Sequence, residues 1–308
     1  MTVSVMNAPV CVITPSLAQG RFIERTLDSV QAQRIPGLDH VVVDGGSTDE
    51  TVAILRRHAG HLRFVSEPDQ GQAEAVNKGL GMTGAAVIGW LNSDDVYYPG
   101  ALAAVLEAFE RHPEVDVIYG DADHIDEQDR VLEAYYTEAW ALERLAEVCF
   151  LCQPAVFFRR RVVDRFGGLD AGLHYCMDYE YWLRLGQGGA RFLHLPRTLA
   201  GSRLYAETKT LGARLKVHAE INTMLKHRLG RVPDRWLSNY AHVRLTDRGL
   251  VPDDPRFLYG LIAATFGASL HWNRGISGSL LCRLAGWLRG ALLRSLRRRW
   301  AGVGSGIP

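Results

Sequence analysis

The sequence lacks the features that mark several large classes of protein. Its 308 residues carry a formal net charge of only +1, so nucleic acid is not expected as the main partner. Hydrophobic residues make up 47% and charged residues 22%, which excludes disordered and fibrous chains. The uncharged stretch Phe257–Asn273 is interrupted by glycine and polar residues. It falls short of the roughly 20 apolar residues that span a membrane. The N-terminus has no basic region followed by an apolar core, so no signal peptide is expected.

A disulfide framework is not expected either. The five cysteines are odd in number and mostly have apolar neighbours. Cys149 and Cys152 have the C-x-x-C spacing of redox and zinc sites, but a second cysteine pair is missing. We therefore interpret them as two buried thiols in a protein of the reducing cytoplasm.

Acidic residues are absent from the C-terminal segment. Between Pro255 and Pro308 there are eight arginines and no Asp, Glu or Lys, so this segment carries +8 and the rest of the chain −7. This separation of charge, with an acidic body and a basic tail, is an indication of where in the cell the protein acts.

Strand and helix patterns alternate over the first 120 residues. Short apolar runs, such as Val10–Thr14 and His40–Asp44, are followed by amphipathic patterns of helical period. This alternation predicts an α/β fold with a Rossmann-like, mainly parallel sheet that has helices on both faces. Ligands bind such sheets beyond the carboxyl ends of the strands.

The pattern changes after Gly120, and we expect two halves in one catalytic domain. Residues 9–120 form the first half, with a strand predicted at Arg63–Ser66 and a helix at Ala101–Arg111. Residues 121–230, which end in a long helix, form the second half. It is predicted to contain an irregular or hairpin segment at Asp121–Tyr136 and strands at Gln153–Arg159 and Arg191–Leu195. Residues 231–308 are predicted to be a separate helical extension that ends in the basic tail. The expected domains are therefore 1–230 and 231–308.

The second strand ends in an acidic residue, Asp44. A strand-to-helix turn explains the two following glycines, and Ser47 with Glu50 forms a predicted capping box. Asp44 is then left without a partner at the ligand-facing end of its strand. From these residues alone, the segment can be interpreted either as a plain turn or as part of a binding site.

The fourth strand is followed by two adjacent carboxylates, Asp94 and Asp95. Such a pair is costly unless a cation or a donor-rich ligand compensates the charge. Hard oxygen ligands suit Mg²⁺ or Mn²⁺, which also bridge to phosphates. The alternative is a solvated turn that caps the next helix.

Two further features have competing interpretations. Asp178 begins a predicted helix, where it either stabilises the N-terminus or serves as a base beside the ligand crevice. The run from Gly79 to Gly84 matches the G-x-G-x-x-G pattern of dinucleotide sites. It follows a helix and precedes a strand, which is the reverse of the order that a phosphate loop needs, so we reject that interpretation.

Together these motifs resemble those of the family-2 glycosyltransferases, which have the GT-A fold and use nucleotide-diphosphate sugars. The matching segments lie in the expected order over roughly residues 10–210. They are Val12–Ser16, Leu27–Gln33, Val42–Asp49, Glu67–Gln72, Asn77–Gly79, Gly89–Asp95, Gln153–Arg159 and Met177–Arg184.

The resemblance implies roles in donor binding. Pro15 and Ser16 would line the nucleotide pocket, and Asp44 would hydrogen-bond the nucleobase. Asp94 would lie near the ribose, and Asp95 would bind Mn²⁺ or Mg²⁺.

The resemblance also implies the groups that act on the acceptor and the diphosphate. Asp178 is similar to the base that deprotonates the acceptor hydroxyl in inverting members, and Arg203 and Lys209 could contact the diphosphate. Many members have R-x-H near the end of the domain. Here Tyr205 stands at the histidine position.

The basic tail has the composition of an amphipathic helix on an anionic membrane. Leu281, Leu284, Leu288 and Leu292 share one stripe, and arginines and Trp287 lie around it. The alternative is a packing helix or the arm of a homodimer.

These observations predict a metal-dependent, inverting glycosyltransferase. It would act on a glycan or polyprenyl-linked acceptor in cell-surface polysaccharide synthesis, peripherally at the inner face of the plasma membrane. The alternative is a catalytically inactive, sugar-nucleotide-binding subunit of a membrane-associated assembly. A nucleotidyltransferase is less favoured, because the loop after the first strand has no basic residue before Arg21.

Overall fold

A computed structural model of the protein describes residues 8–208 and 212–303 and divides the chain into two compact units. The units are residues 1–211 and 212–308. The sequence analysis placed a boundary at residue 230, after the long helix. That helix, Arg214–Leu229, packs against the helices that follow it, and this contact places it in the second unit.

The first unit is built around one nine-stranded sheet. Its strands are β1 (Val10–Ser16), β2 (Asp39–Asp44), β3 (Arg63–Ser66), β4 (Val87–Trp90), β5 (Val96–Tyr97), β6 (Val117–Ile125), β7 (Val131–Ala134), β8 (Val156–Arg159) and β9 (Phe192–Arg203). Its helices are α1 (Ile23–Gln31), α2 (Thr51–Arg57), α3 (Gln72–Met82), α4 (Ala101–Arg111), α5 (Leu142–Glu147), α6 (Arg160–Phe166) and α7 (Met177–Gln187).

The first four strands form the parallel part of the sheet, in the order β3-β2-β1-β4. All seven residues of β1 are buried, which explains why the strand is a continuous apolar run. The parallel register places Ser16 opposite Asp44 and Ile13 opposite Trp90. The carboxyl ends of β1, β2 and β4 therefore meet at one edge, as the alternating pattern predicted.

The second part of the sheet is mixed. Strand β8 runs antiparallel between β4 and β6, and β9 runs parallel to β6. The predicted hairpin after Gly120 is present as β6 and β7. The predicted strand Gln153–Arg159 begins with a 3-10 turn at Gln153–Ala155, and only its remainder is β8.

The second unit consists of four helices in the described part of the chain. They are α8 (Arg214–Leu229), α9 (Asp234–Thr246), α10 (Pro255–Asn273) and α11 (Gly278–Val303). The Asn273 side chain exchanges two hydrogen bonds with the backbone of Val232, at 2.8 and 2.9 Å, and so fixes the end of α10 to the start of α9. Across residues 8–208 and 212–303, none of the helices combines the length and the apolar content that crossing a bilayer requires.

Glycines 79 and 81 lie in the last turns of α3, which confirms that the G-x-G-x-x-G run does not open a helix after a strand. The two positions differ in their surroundings. A Cβ on Gly79 would lie 2.5 Å from Cγ2 of Ile13, whereas a Cβ on Gly81 would have nothing within 4 Å. Gly79 is therefore needed for the close packing of α3 on β1.

We expect Gly79→Ala to lower the free energy of unfolding by about 1–3 kcal/mol, because Ile13 is fixed in the sheet and the added methyl overpacks the contact. Gly81→Ala is the matched control in the same helix. It should leave stability unchanged or raise it by up to about 1 kcal/mol through helix propensity. Urea denaturation of both variants measures the difference, and equal effects would contradict the packing argument.

Candidate active site at the carboxyl ends of the strands

Asp44 ends β2 and is completely buried. Its carboxylate accepts hydrogen bonds from the backbone N–H groups of Gly46 and Ser47, at 3.2 and 2.9 Å. It also accepts from the hydroxyls of Ser47 and Ser66, at 2.5 and 2.6 Å. The predictions of an unpartnered Asp44 and of a capping box at Ser47 are therefore wrong. Helix α2 begins only at Thr51 and has no side-chain cap.

Ser16 lies beside Asp44 at the end of β1. It is 5% exposed, and its hydroxyl has no hydrogen-bond partner within the described residues. The neighbouring Pro15 is buried within the strand, opposite Val43. A buried hydroxyl without a partner is costly and rare, so the end of β1 is prepared for a polar ligand.

The paired carboxylates occupy different environments. Asp94 is half-buried, whereas Asp95 is 3% exposed. Oδ1 of Asp95 accepts from the backbone N–H of Arg203 at 2.8 Å, and Oδ2 accepts from the Asn92 amide at 3.3 Å. Burial, followed by the charge of Asp94, raises the pKa of Asp95 well above its ordinary value.

Arg203, at the end of β9, contacts both residues of this pair. Besides its backbone bond to Asp95, Arg203 donates through Nε to the carbonyl of Asp94 at 2.7 Å. Its guanidinium is completely buried, donates to the carbonyl of Asp126 at 2.6 Å and lies 2.5 Å from the carboxylate of Asp129. The structure therefore gives Arg203 a positioning role. The predicted diphosphate contact does not fit a guanidinium that is closed off from solvent.

Tyr205 takes the place of the expected histidine and contacts Asp94 directly. Its hydroxyl donates to Oδ2 of Asp94 at 2.9 Å, and its ring packs on Phe22 with the centroids 4.8 Å apart. Burial raises the pKa of Tyr205 and the charge of Asp94 adds to this effect, so the phenol stays protonated and remains a donor. Lys209 lies outside the described residues.

A polar network that the sequence analysis missed orients the Asn92 side chain, which bonds Asp95. Oδ1 of Asn92 accepts from the side chains of Gln72 and Trp90, at 2.7 and 2.9 Å, which turns the Asn92 amide nitrogen toward Asp95. The amide of Gln153 donates to the carbonyl of Trp90 at 2.5 Å, and its buried Oε1 has no hydrogen-bond partner within the described residues. Asn92 and Gln153 stood in the quoted motifs, but Gln72 is 20 residues from Asn92 and Gln153 is 63 residues from Trp90, so these two contacts were not predictable.

Asp94 and Asp95 could supply some of the ligands of a divalent cation, and the substrate and water would have to supply the others. Within the described residues, no three side chains of His, Cys, Asp or Glu are grouped to hold a metal ion. Mg²⁺ is commonly bound through one or two carboxylates, with substrate phosphates and water completing the shell. Asp94 and Asp95 supply such carboxylates, and a bound cation would offset the repulsion that raises the pKa of Asp95.

Asp178, the predicted base, lies in the first turn of α7. Asp178 is half-buried, whereas the next five residues along the helix are buried. Glu180, two positions along, is 1% exposed and forms an ion pair with Arg184 at 3.0 Å. Arg184 also donates to the carbonyls of Phe166 and Gly168, at 2.5 and 2.7 Å. Glu180 therefore holds the loop before α7 in place through Arg184, whereas Asp178 is the half-buried carboxylate of the same helix turn.

A second anchor fixes the same loop to α3. The Asn77 side chain exchanges two hydrogen bonds with the backbone of Leu169, at 2.7 and 2.9 Å. The segment that leads to Asp178 is therefore tied to a helix that packs on β1.

The Cys152 thiol is buried. Burial raises the pKa of this thiol, and the charges of Asp95, Cys149 and Asp178 raise it further. Cys152 is thus within electrostatic reach of both Asp95 and Asp178. All five cysteines are free, which agrees with the interpretation of Cys149 and Cys152 as thiols; Cys152 is buried and Cys149 is half-buried.

Comparisons with known proteins identify the family to which this fold belongs. The family model described as "Glycosyl transferase family 2" matches residues 11–167, just over half of the chain. The chain therefore belongs to glycosyl transferase family 2, and it is a glycosyltransferase.

Curated relatives and solved structures extend the likeness. The chain is 26% identical over 206 residues to a chondroitin synthase of Escherichia coli, which covers 66% of this chain but only 30% of the relative. It is 29% identical over 199 residues to a PGL/p-HBAD biosynthesis glycosyltransferase of Mycobacterium bovis, covering 62% of this chain and 76% of the relative.

Two solved structures share the fold. A TarS fragment of S. aureus in complex with UDP-GlcNAc matches with a TM-score of 0.60 and 15% identity, covering 83% of this chain and 81% of that chain. The mannosyltransferase PcManGT of Pyrobaculum calidifontis, in complex with GDP-Man and Mn²⁺, matches with a TM-score of 0.58 and 20% identity, covering 94% and 82%. The predicted GT-A fold is thereby confirmed.

We expect Glu180→Ala to lower the free energy of unfolding by about 3–5 kcal/mol, because it leaves the Arg184 charge without its partner in a largely buried site. Asp178→Asn should change stability by less than about 1 kcal/mol, since Asp178 is half-exposed. Thermal and urea denaturation distinguish the two. A large loss of stability in Asp178→Asn would make Asp178 a structural residue.

Proposed function

We propose that the protein transfers a sugar from a nucleotide-diphosphate donor to an acceptor hydroxyl, with inversion at the anomeric carbon and with Mn²⁺ or Mg²⁺ as cofactor. The observation that carries this proposal is the carboxylate pair at the carboxyl end of β4, where the Tyr205 hydroxyl bonds Asp94 and the backbone N–H of Arg203 bonds Asp95. Asn77 ties the loop before α7 to α3, and we take Asp178, in the first turn of α7, as the carboxylate that serves the acceptor hydroxyl. The sugar-nucleotide complexes of the two structural neighbours support this choice of donor.

The donor would occupy the ends of β1, β2 and β4. The unpartnered hydroxyl of Ser16 is available to the nucleotide, next to Pro15. Asp44 already accepts four hydrogen bonds, so a contact from Asp44 to the nucleobase would use a remaining lone pair or exchange one of these partners. Asp94 would lie near the ribose, where Tyr205 fixes its carboxylate.

Asp95 would hold the cation, with Asp94 beside it near the ribose, and the cation would supply positive charge to the departing diphosphate. The chain's contribution is the fixed orientation of these carboxylates. The backbone N–H of Arg203 bonds the Asp95 carboxylate, and the Tyr205 hydroxyl bonds the Asp94 carboxylate, so both are oriented before the donor binds.

Asp178 would act as the general base. Its carboxylate accepts the proton of the acceptor hydroxyl as the oxygen bonds to the anomeric carbon. The bond from that carbon to the diphosphate breaks at the same time, and its electron pair leaves with the diphosphate. One displacement by a group on the opposite face inverts the anomeric centre.

The acceptor is proposed to be a glycan or a polyprenyl-linked sugar, in the synthesis of cell-surface polysaccharide. The relatives named for chondroitin synthesis and PGL/p-HBAD biosynthesis support a biosynthetic role. We place the protein in the cytoplasm, at the inner face of the plasma membrane, because the basic C-terminal segment is suited to an anionic surface.

We expect Asp178→Asn to reduce turnover about 100-fold or more, the usual size of a lost general base, with donor affinity nearly unchanged. Turnover is measured as acceptor-dependent release of the nucleoside diphosphate, and donor affinity by calorimetry. Asp164→Asn, an exposed carboxylate on α6, is the matched control and should retain activity. Wild-type protein that binds the donor and shows no transfer or hydrolysis would favour the inactive-subunit alternative.

We expect Tyr205→Phe to weaken Mn²⁺-dependent binding of UDP or GDP about 10-fold or more, because Asp94 loses the donor that orients it. Asp95→Asn should abolish the dependence on Mn²⁺. Tyr136→Phe is the control. It removes a similar hydrogen bond, which goes to Glu138 at 2.8 Å, and the variant should bind UDP or GDP as the wild type does. Calorimetry with and without Mn²⁺ measures each value. Unchanged Mn²⁺ dependence in Asp95→Asn would remove Asp95 from the metal site.

A further inference from the structure

Helix α10 in the second unit exposes a face of large apolar side chains. Tyr259, Phe266 and Leu270 are 53%, 41% and 48% exposed. Spacings of seven and four residues place them on one side of the helix. The buried residues of α10 lie on the opposite side and pack within the unit; they are Phe257, Thr265, Ala268 and Ser269. The apolar face is therefore additional to the side that stabilises the unit.

Helix α11 also exposes large apolar side chains, but they are not all the leucines that the sequence analysis assigned to one stripe. Leu281 and Leu288, seven residues apart, are 51% and 39% exposed. Leu284, which the sequence analysis assigned to the same membrane-facing stripe, is 5% exposed and packs inward, so that assignment is wrong. Leu292, Trp300 and the arginines from Arg294 onward have side chains outside the described residues.

Exposed arginines accompany both apolar faces. Arg274 directly follows α10, and Arg289 directly follows Leu288 on α11, whereas Arg283, two positions from Leu281, lies on another side of α11. The segment from Pro255 onward carries eight arginines and no acidic residue. Any surface that covers these helices therefore meets positive charge around apolar side chains.

We propose that the exposed faces of α10 and α11 form a docking surface for an anionic lipid bilayer. Tyr259, Phe266 and Leu270 would enter the boundary between headgroups and acyl chains, and the arginines would contact the headgroups. An amphipathic helix that lies in the interface gains from both burial and charge. This surface lies in the second unit. The proposal rests on the placement at the plasma membrane proposed above, which it deepens, and it does not depend on the proposed reaction.

A second copy of the chain is a poorer occupant. A two-fold symmetric contact places the same patch on both sides, so each basic segment would face another segment with the same excess of arginine. Like charges facing each other oppose association, and no acidic residue after Asp254 is present to compensate. An anionic lipid surface supplies the complementary charge.

The test uses the full chain and vesicles of phosphatidylcholine, with or without phosphatidylglycerol. We expect co-sedimentation with the anionic vesicles only, and weaker binding at 1 M salt than at 0.1 M, because salt screens the arginines. The triple variant Tyr259→Ser, Phe266→Ser, Leu270→Ser should lose at least 10-fold in the partition coefficient. Arg274→Gln with Arg289→Gln should lose about 30-fold.

The matched control changes three equally exposed apolar residues of the first unit, as Val131→Ser, Leu132→Ser and Tyr136→Ser. It should bind vesicles as the wild type does. Equal losses in both triple variants, or binding to neutral vesicles that salt does not change, would overturn the proposal. So would self-association of the wild type without vesicle binding, if the α10 variant abolished it. Hydrolysis of the sugar nucleotide without acceptor should be the same in all variants, which separates a failure of docking from a failure of the proposed reaction.

Discussion

The burial of one carboxylate beside another at the end of β4 is the constraint on which the site depends. Asp95 is almost fully enclosed next to the partly exposed charge of Asp94, and both burial and repulsion work against its ionised form. The surrounding chain compensates with directed donors. The backbone of Arg203 and the Asn92 amide bond Asp95, and the Tyr205 hydroxyl bonds Asp94. Removing any of these donors leaves a buried acceptor without its partner.

The same constraint explains why β9 extends past its predicted end. The sequence pattern predicted a short strand that stops at Leu195, but β9 continues to Arg203. The extension brings Arg203 beside Asp94 and Asp95 and keeps β9 paired with β6 through a shift in register near Gly120. The guanidinium then joins Asp94 to the turn between β6 and β7, through Asp126 and Asp129. A structural arginine thus connects the first half of the domain with the second.

Local patterns predicted what depends on local physics. The parallel strands and the helices between them follow from apolar periodicity, and α4 and β3 have the predicted bounds. The motifs at the strand ends identified Asp44, Asp94 and Asp95 because strand ends meet at one edge in this topology. The partners of these carboxylates were not predictable, since Ser66 is 22 residues from Asp44 and Tyr205 is 111 residues from Asp94. Ser47 shows the limit within a single turn, because the same hydroxyl could satisfy a helix end or the nearby carboxylate.

The two acidic residues of α7 show how neighbours in sequence acquire different chemistry. Asp178 and Glu180 are two positions apart, so a helix turns their side chains to different sides. The inner side contains Arg184, which is fixed by the carbonyls of Phe166 and Gly168 and needs a buried anion. Glu180 meets that need and is no longer available as a base. Asp178 lies on the outer side, within electrostatic reach of Cys152, which is also in reach of Asp95. The loop that Arg184 and Asn77 hold would therefore determine where the proposed base meets its acceptor, and Glu180, which is buried against Arg184, would set the position of Asp178.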